Sequence, residues 1–216
     1  MRNRWLIALA AIGLHISIGS VYAWSVLTRP IMADMGFTMS QTTWTFSLAI
    51  LMLGLSAGFL GSFAEKIGPK KSGLLSMVFW VAGLFGTAYA LSIHNLTLLY
   101  LFYGIIGGIG LGIGYITPVS TLVKYFPKRP GFATGLAIMG FGFASLIAGP
   151  LMQFLVAQVG LVDNFIILGI IYLLVMGASS LYLKAPQPKQ PARTTKDKST
   201  MYVHNHGMLA NDAMKT

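Results

Sequence analysis

The sequence predicts an all-α membrane protein of six transmembrane helices. Three observations carry that expectation. Of 216 residues, 55% are hydrophobic and only 9% charged, whereas soluble domains carry about 25% charged residues. Six stretches approach or exceed the ~20 apolar residues needed to cross a hydrocarbon core of about 30 Å. The basic residues fall almost wholly on one side of those stretches. The 25 glycines agree with this, because small residues let membrane helices approach closely.

The six spans are Trp5–Leu27, Trp44–Phe63, Gly73–Ser92, Thr97–Thr117, Gly131–Ala157 and Asn164–Leu183. None contains Lys, Arg, Asp or Glu, and His15 is the one ionisable side chain in them besides tyrosine. The first span is too long for the apolar segment of a signal peptide, and five more follow. It reads as a retained helix.

Arg2, Arg4, Lys66, Lys70, Lys71, Lys124, Lys128, Arg129 and the six basic residues after span six share one side. Of the 15 basic residues only Arg29 lies in the other loops. The positive-inside rule then places both termini in the cytoplasm, in a multi-pass protein of an inner or plasma membrane. The net charge of +10 is a topology signal; it needs no nucleic-acid partner, and the lipid bilayer is the expected one. The bundle is expected over residues 1–184. Residues 185–216 are expected to form a flexible cytoplasmic tail, with three prolines in Ala185–Pro191 and polar residues beyond. His204 and His206 form an isolated pair there, too few ligands for a metal site. No cofactor and no metal is expected, and the absence of cysteine removes thiol chemistry.

A faint internal repeat joins spans one to three with four to six. Gly19-Ser-Val-Tyr22 matches Gly112-Ile-Gly-Tyr115, and Leu48-Ala-Ile50 with Gly54 matches Leu136-Ala-Ile138 with Gly142 at the same spacing. A proline follows each of the first pair, at Pro30 and Pro118. Many transporters are built of such three-helix units.

The loop after span two reads Gly61-Ser-Phe-Ala64-Glu65-Lys66-Ile-Gly68-Pro69-Lys70-Lys71. It resembles the major facilitator superfamily motif G-x-x-A-D-R-x-G-R-R/K-x, with Glu65, Lys66 and Pro69 as departures. Gly61 and Gly68 are expected to allow a tight turn. The acid and bases are expected to form a conformational lock, paired in one transporter state and broken in another. Within that superfamily the chain is similar to the oxalate/formate antiporter group over nearly its whole length. The likeness rests on Gly19-Ser-Val-Tyr22-Ala-Trp24-Ser25-Val, on Gly68-Pro69-Lys70, and on Lys124-Tyr-Phe126-Pro127-Lys128-Arg129-Pro130-Gly131. Ser145, Gly149 and Pro150 partly resemble the glycine–proline motif of superfamily antiporters, and Pro150 is expected to kink span five.

The resemblance implies the N-terminal six-helix half, a 3+3 repeat, of a secondary transporter. It implies small carboxylate anions moved by alternating access, a site between two halves, and carboxylate-binding cations in the second half. Asn211 to Thr216 looks like the segment before a seventh span, so a missing or separate C-terminal half is the expected partner. Arg29 is read as lying beyond the end of span one and thus as no substitute for those cations. Spans one, two, four and five are expected to face the cavity. Two shared helix faces follow, His15, Gly19, Tyr22 and Val26 in span one and Gly104, Gly107, Gly108, Leu111 and Tyr115 in span four. Tyr22, Tyr115, Trp44 and His15 are the candidate substrate-lining residues, with aromatic edges and hydroxyls suited to a small planar anion. Trp24 points away from Tyr22, towards lipid or a neighbouring helix. Acids are absent from the spans, which favours anion exchange or facilitated flux over proton symport. An enzyme is not expected. The rival readings are an oligomeric six-span channel and a non-transporting membrane partner protein.

Overall fold

The computed structural model describes residues 3–186, and all regular structure there is helical. The expected tail, with His204 and His206, lies outside the described residues apart from its first two positions. Five helical stretches among the described residues are long and apolar enough to cross a membrane. The last, Pro130–Tyr182, has 53 residues, about 80 Å at 1.5 Å per residue and far beyond one crossing. It is broken at Gly160, whose dihedrals (φ 87, ψ 178) are not helical. The six helices are therefore α1 (Arg4–Met35), α2 (Met39–Ile67), α3 (Pro69–Ser92), α4 (Leu96–Tyr125), α5 (130–159) and α6 (161–182).

Local chemistry sets the ends. The Asn3 side chain accepts from the Trp5 amide, and the Asn95 side chain from that of Leu98. Thr38 and Gln41 form a reciprocal capping box, which starts α2 at Met39. Trp44 is thereby placed in the second turn of α2; the expectation that it opens the helix is corrected. Helix α1 continues past Leu27 through Pro30 to Met35, because Leu27, Ile31 and Met35 recur at helical spacing and are buried. Arg29 is thus a helical, exposed residue of α1; the reading that put it beyond the helix is corrected.

Both three-helix units turn on one glycine with nearly the same backbone. Gly68 (φ 84, ψ 162) separates α2 from α3, and Gly160 separates α5 from α6. Only glycine occupies this region readily. Pro69 follows at the first position of α3, where its missing N–H is no loss. The expected turn at Gly61 is not there. Gly61 is helical, and a Cβ on it would stand 2.8 Å from Ile116 of α4.

The repeat is visible in the packing. Exchange α1 with α4, α2 with α5 and α3 with α6. The contact of Gly19 with α5 then becomes that of Gly112 with α2. A Cβ at Gly19 would collide with the Phe141 carbonyl and the Ala144 side chain; at Gly112 it would meet the Leu53 carbonyl and Ser56 Oγ. The register pairing Leu48-Ala-Ile50 with Leu136-Ala-Ile138 pairs Leu53 with Phe141 and Ser56 with Ala144. The two glycines therefore meet equivalent residues. The α3–α6 crossing is made at one glycine of each helix, with Gly73 against Ser180 and Gly169 against Phe85.

Candidate functional site

Close helix crossings position the site by bringing α1, α4 and α5 together. At their meeting lies a chain of rings. Tyr22 of α1 packs edge-on to Phe141 of α5 at 5.2 Å between centroids, and Tyr115 of α4 does the same from the other side, also at 5.2 Å. His15 stacks on Tyr115 at 5.7 Å and 25° and lies 5.7 Å from Phe141. Phe46 of α2 reaches Tyr22 at 6.3 Å.

Exposure grades across this cluster. Tyr22 is 44% exposed, Tyr115 half-buried, Phe141 buried and His15 fully enclosed. The Nδ1 of His15 stands 2.6 Å from the Ala137 carbonyl of α5, and its Nε2 3.0 Å from the Tyr115 carbonyl of α4. One side chain thus bridges three helices. Tyrosine hydroxyls and electropositive ring edges at the open end suit an anion.

Of the four residues expected to line a site, Tyr22, Tyr115 and His15 converge on one cluster. Trp44 is 58% exposed and takes no part in these ring contacts. Trp24 is buried, tilted against Tyr103 at 4.3 Å between centroids, and donates from Nε1 to the Thr42 carbonyl at 3.1 Å. Of the two surroundings expected for it, the neighbouring helix holds.

The shared faces behave differently. Gly104 and Gly108 abut Leu48 and Met52 of α2, while Gly107 faces Trp80 of α3. These glycines serve helix crossings and do not open onto a cavity, because a missing Cβ lets a neighbouring helix in. Likewise Gly19 packs on α5.

Phe141, the ring that joins the cluster, was not singled out from the sequence. Its signal was its equivalence to Leu53 in the repeat, but only the crossing with Gly19 shows that it meets α1.

At the basic end, Glu65 lies 3.7 Å from Lys124, both about half exposed. The loop motif thus reaches α4 within this unit. Ala64 is buried beside it, and Lys66 lies in the last turn of α2, where a cation suits the helix dipole. Lys70 and Lys71 begin α3 just after the Gly68 turn. In α5, Gly149 is buried near Val26, Ser145 bonds back to the Gly142 carbonyl at 3.5 Å, and Pro150 lies within the helical stretch.

Two three-helix repeats exchanged by an approximate two-fold relation define a class, a six-helix unit of a secondary transporter fold. The chain belongs to the Major Facilitator Superfamily, whose family model matches residues 7–211. It is 33% identical over 194 residues to the uncharacterized MFS-type transporter YhjX of Escherichia coli (strain K12), covering 90% of this chain and 47% of that protein. It is 27% identical over 217 residues to monocarboxylate transporter 14 of Homo sapiens, covering 98% and 40%. It is 27% identical over 171 residues to the oxalate:formate antiporter of Oxalobacter formigenes, covering 78% and 40%. The chain spans less than half the length of each of these relatives. It is a membrane protein of a transporter family.

Proposed function

We propose that this chain forms one wall of a pathway for small carboxylate anions, moved by alternating access. The observation that carries the reading is the aromatic cluster of Tyr22, Phe141 and Tyr115, open at Tyr22 and backed by His15. Tyr22 and Tyr115 would donate to the carboxylate, His15 would support Tyr115 from behind, and Trp44 is a further exposed candidate outside the ring cluster. The names of two relatives, a monocarboxylate transporter and an oxalate:formate antiporter, support the substrate class.

The opposite wall is a second six-helix unit, separate from this chain or continuous with it. Support comes from α2, whose apolar middle is mostly exposed while that of α1 is mostly buried. Gly54 and Gly58 of α2 and Gly135 and Gly142 of α5 would meet nothing within 4 Å on gaining a Cβ. Open small-residue surfaces accept a close-packed helix. Both termini are cytoplasmic in this reading, which puts the Glu65–Lys124 pair on the cytoplasmic face as part of a conformational lock. The membrane is the inner or plasma membrane.

The test is counterflow of labelled oxalate and formate in proteoliposomes. The chain alone is expected to give no saturable exchange. Adding a six-helix unit encoded next to it is expected to restore exchange, and Tyr22→Phe or Tyr115→Phe to weaken it. Saturable exchange by the chain alone overturns the two-unit reading. A two-unit assembly that exchanges neither anion overturns the carboxylate reading.

A further inference from the structure

His15 faces two groups that only accept. Its two ring nitrogens lie 2.6 Å from the Ala137 carbonyl and 3.0 Å from the Tyr115 carbonyl. A neutral imidazole carries one N–H, so either tautomer satisfies one carbonyl and turns a lone pair on the other. Flipping the ring would present carbons to both. Only the doubly protonated ring donates to each.

The repeat shows that the helix crossing does not call for this side chain. The residue equivalent to His15 is Gly108, and a Cβ there would stand 2.8 Å from the carbonyl of Ala49, the counterpart of Ala137. The same crossing is thus made on the other side without a donor. An ionisable residue enclosed in a membrane protein is costly, and it persists where it has work to do.

Its surroundings are simple. Helix α4 presents Tyr115, α5 presents a carbonyl and the Phe141 ring, and α1 itself presents Tyr22 beyond Phe141. Trp80 of α3 donates to the Ser17 carbonyl two residues on, and Ser179 of α6 faces Gly13. Among the described residues no acidic or basic side chain is paired or hydrogen-bonded to His15. Tyrosines are thus the titratable neighbours.

We propose that His15 is a proton-binding site that fastens α1 to α4 and α5. Taking a proton from water onto the ring's free lone pair makes the second hydrogen bond. Releasing it leaves a lone pair against a carbonyl and frees one helix of the three. This goes beyond the carboxylate reading and does not rest on it, since the ligand is the proton and no anion is needed.

The experiment uses the 216-residue chain in lipid nanodiscs, labelled with 15N-histidine. The changes His94→Asn, His204→Gln and His206→Gln leave His15 as the one histidine; His94 is exposed with φ 54, which Asn tolerates. If that variant does not express, the wild-type spectrum with the other three assigned by single substitutions gives the same reading. Between about pH 8 and pH 4, a range that takes in the window in which histidine switches and continues to its acid side, the resonance of the unprotonated ring nitrogen is expected to fall by more than half and two N–H signals to replace it. An unprotonated nitrogen that persists throughout overturns the proposal. So does a ring that keeps both protons throughout. Neither outcome bears on the anion counterflow.

Discussion

The two three-helix units of this chain make the same crossing with different residues. On one side Gly19 of α1 receives the Phe141 and Ala144 backbone and side chain of α5; on the other Gly112 of α4 receives Leu53 and Ser56 of α2. Four residues before each glycine the two units part. One has Gly108 packed directly on α2; the other has His15, reaching to α5 and α4. The shared part is scaffold, set by how closely two helices can pass. The unshared part is His15 and Phe141, which join the two tyrosines the repeat pairs, Tyr22 and Tyr115, into one cluster. At the glycines, where the repeat is obeyed, packing explains the residue; at His15, where it is broken, packing does not.

The comparison is sharpest at the crossing glycines. Gly19→Val and Gly112→Val should each cost about 3 kcal/mol, the upper range for overpacking. Each meets a backbone carbonyl that cannot step aside. Thermal unfolding of detergent-purified protein, followed by circular dichroism, checks this. A large loss at one glycine and none at the other would break the equivalence.

The inter-helix turns come next. Gly68→Ala and Gly160→Ala should each cost about 2 kcal/mol, because both residues hold a conformation open to little but glycine. Unequal losses in the same assay would mean that one turn is relaxed by its surroundings.

At the broken position the effect should be smaller. His15→Leu should cost about 1 kcal/mol, a typical net hydrogen bond, since the carbonyls it faces belong to helices. A loss as large as that of Gly19→Val would make His15 part of the scaffold. At the basic end, Glu65→Gln should change stability by less than about 0.5 kcal/mol, because its pair with Lys124 is half exposed. Disulfide trapping between the α2 and α4 ends, simple to design in a chain without cysteine, would show whether the same change alters how these helices move.

Much of the fold was legible in the sequence because lipid imposes a coarse rule. Six apolar stretches and one-sided charge gave the helices, and a short motif identity gave the repeat that the packing bears out. The misread boundaries have local causes. Hydropathy starts the second span at Trp44 because it does not weigh the Thr38–Gln41 cap, and ends the first at Leu27 although the buried stripe of α1 runs through Ile31 to Met35. The site was legible in its aromatic residues but not in its grouping. Helical spacing put Gly107 and Gly108 with Tyr115 on one face, whereas the glycines are spent on two different neighbours.

By itself the sequence determined that the chain is membrane-embedded, helical and internally repeated, because backbone polar groups in lipid must be satisfied within each helix and composition alone registers that demand. The tertiary structure decided which helices touch. Phe141 meets Tyr22 and Tyr115, and both nitrogens of His15 meet carbonyls, only because Gly19 lets α5 pass so close to α1. Contacts between distant segments depend on the volume each side chain leaves free at a crossing, and no single helix records that volume.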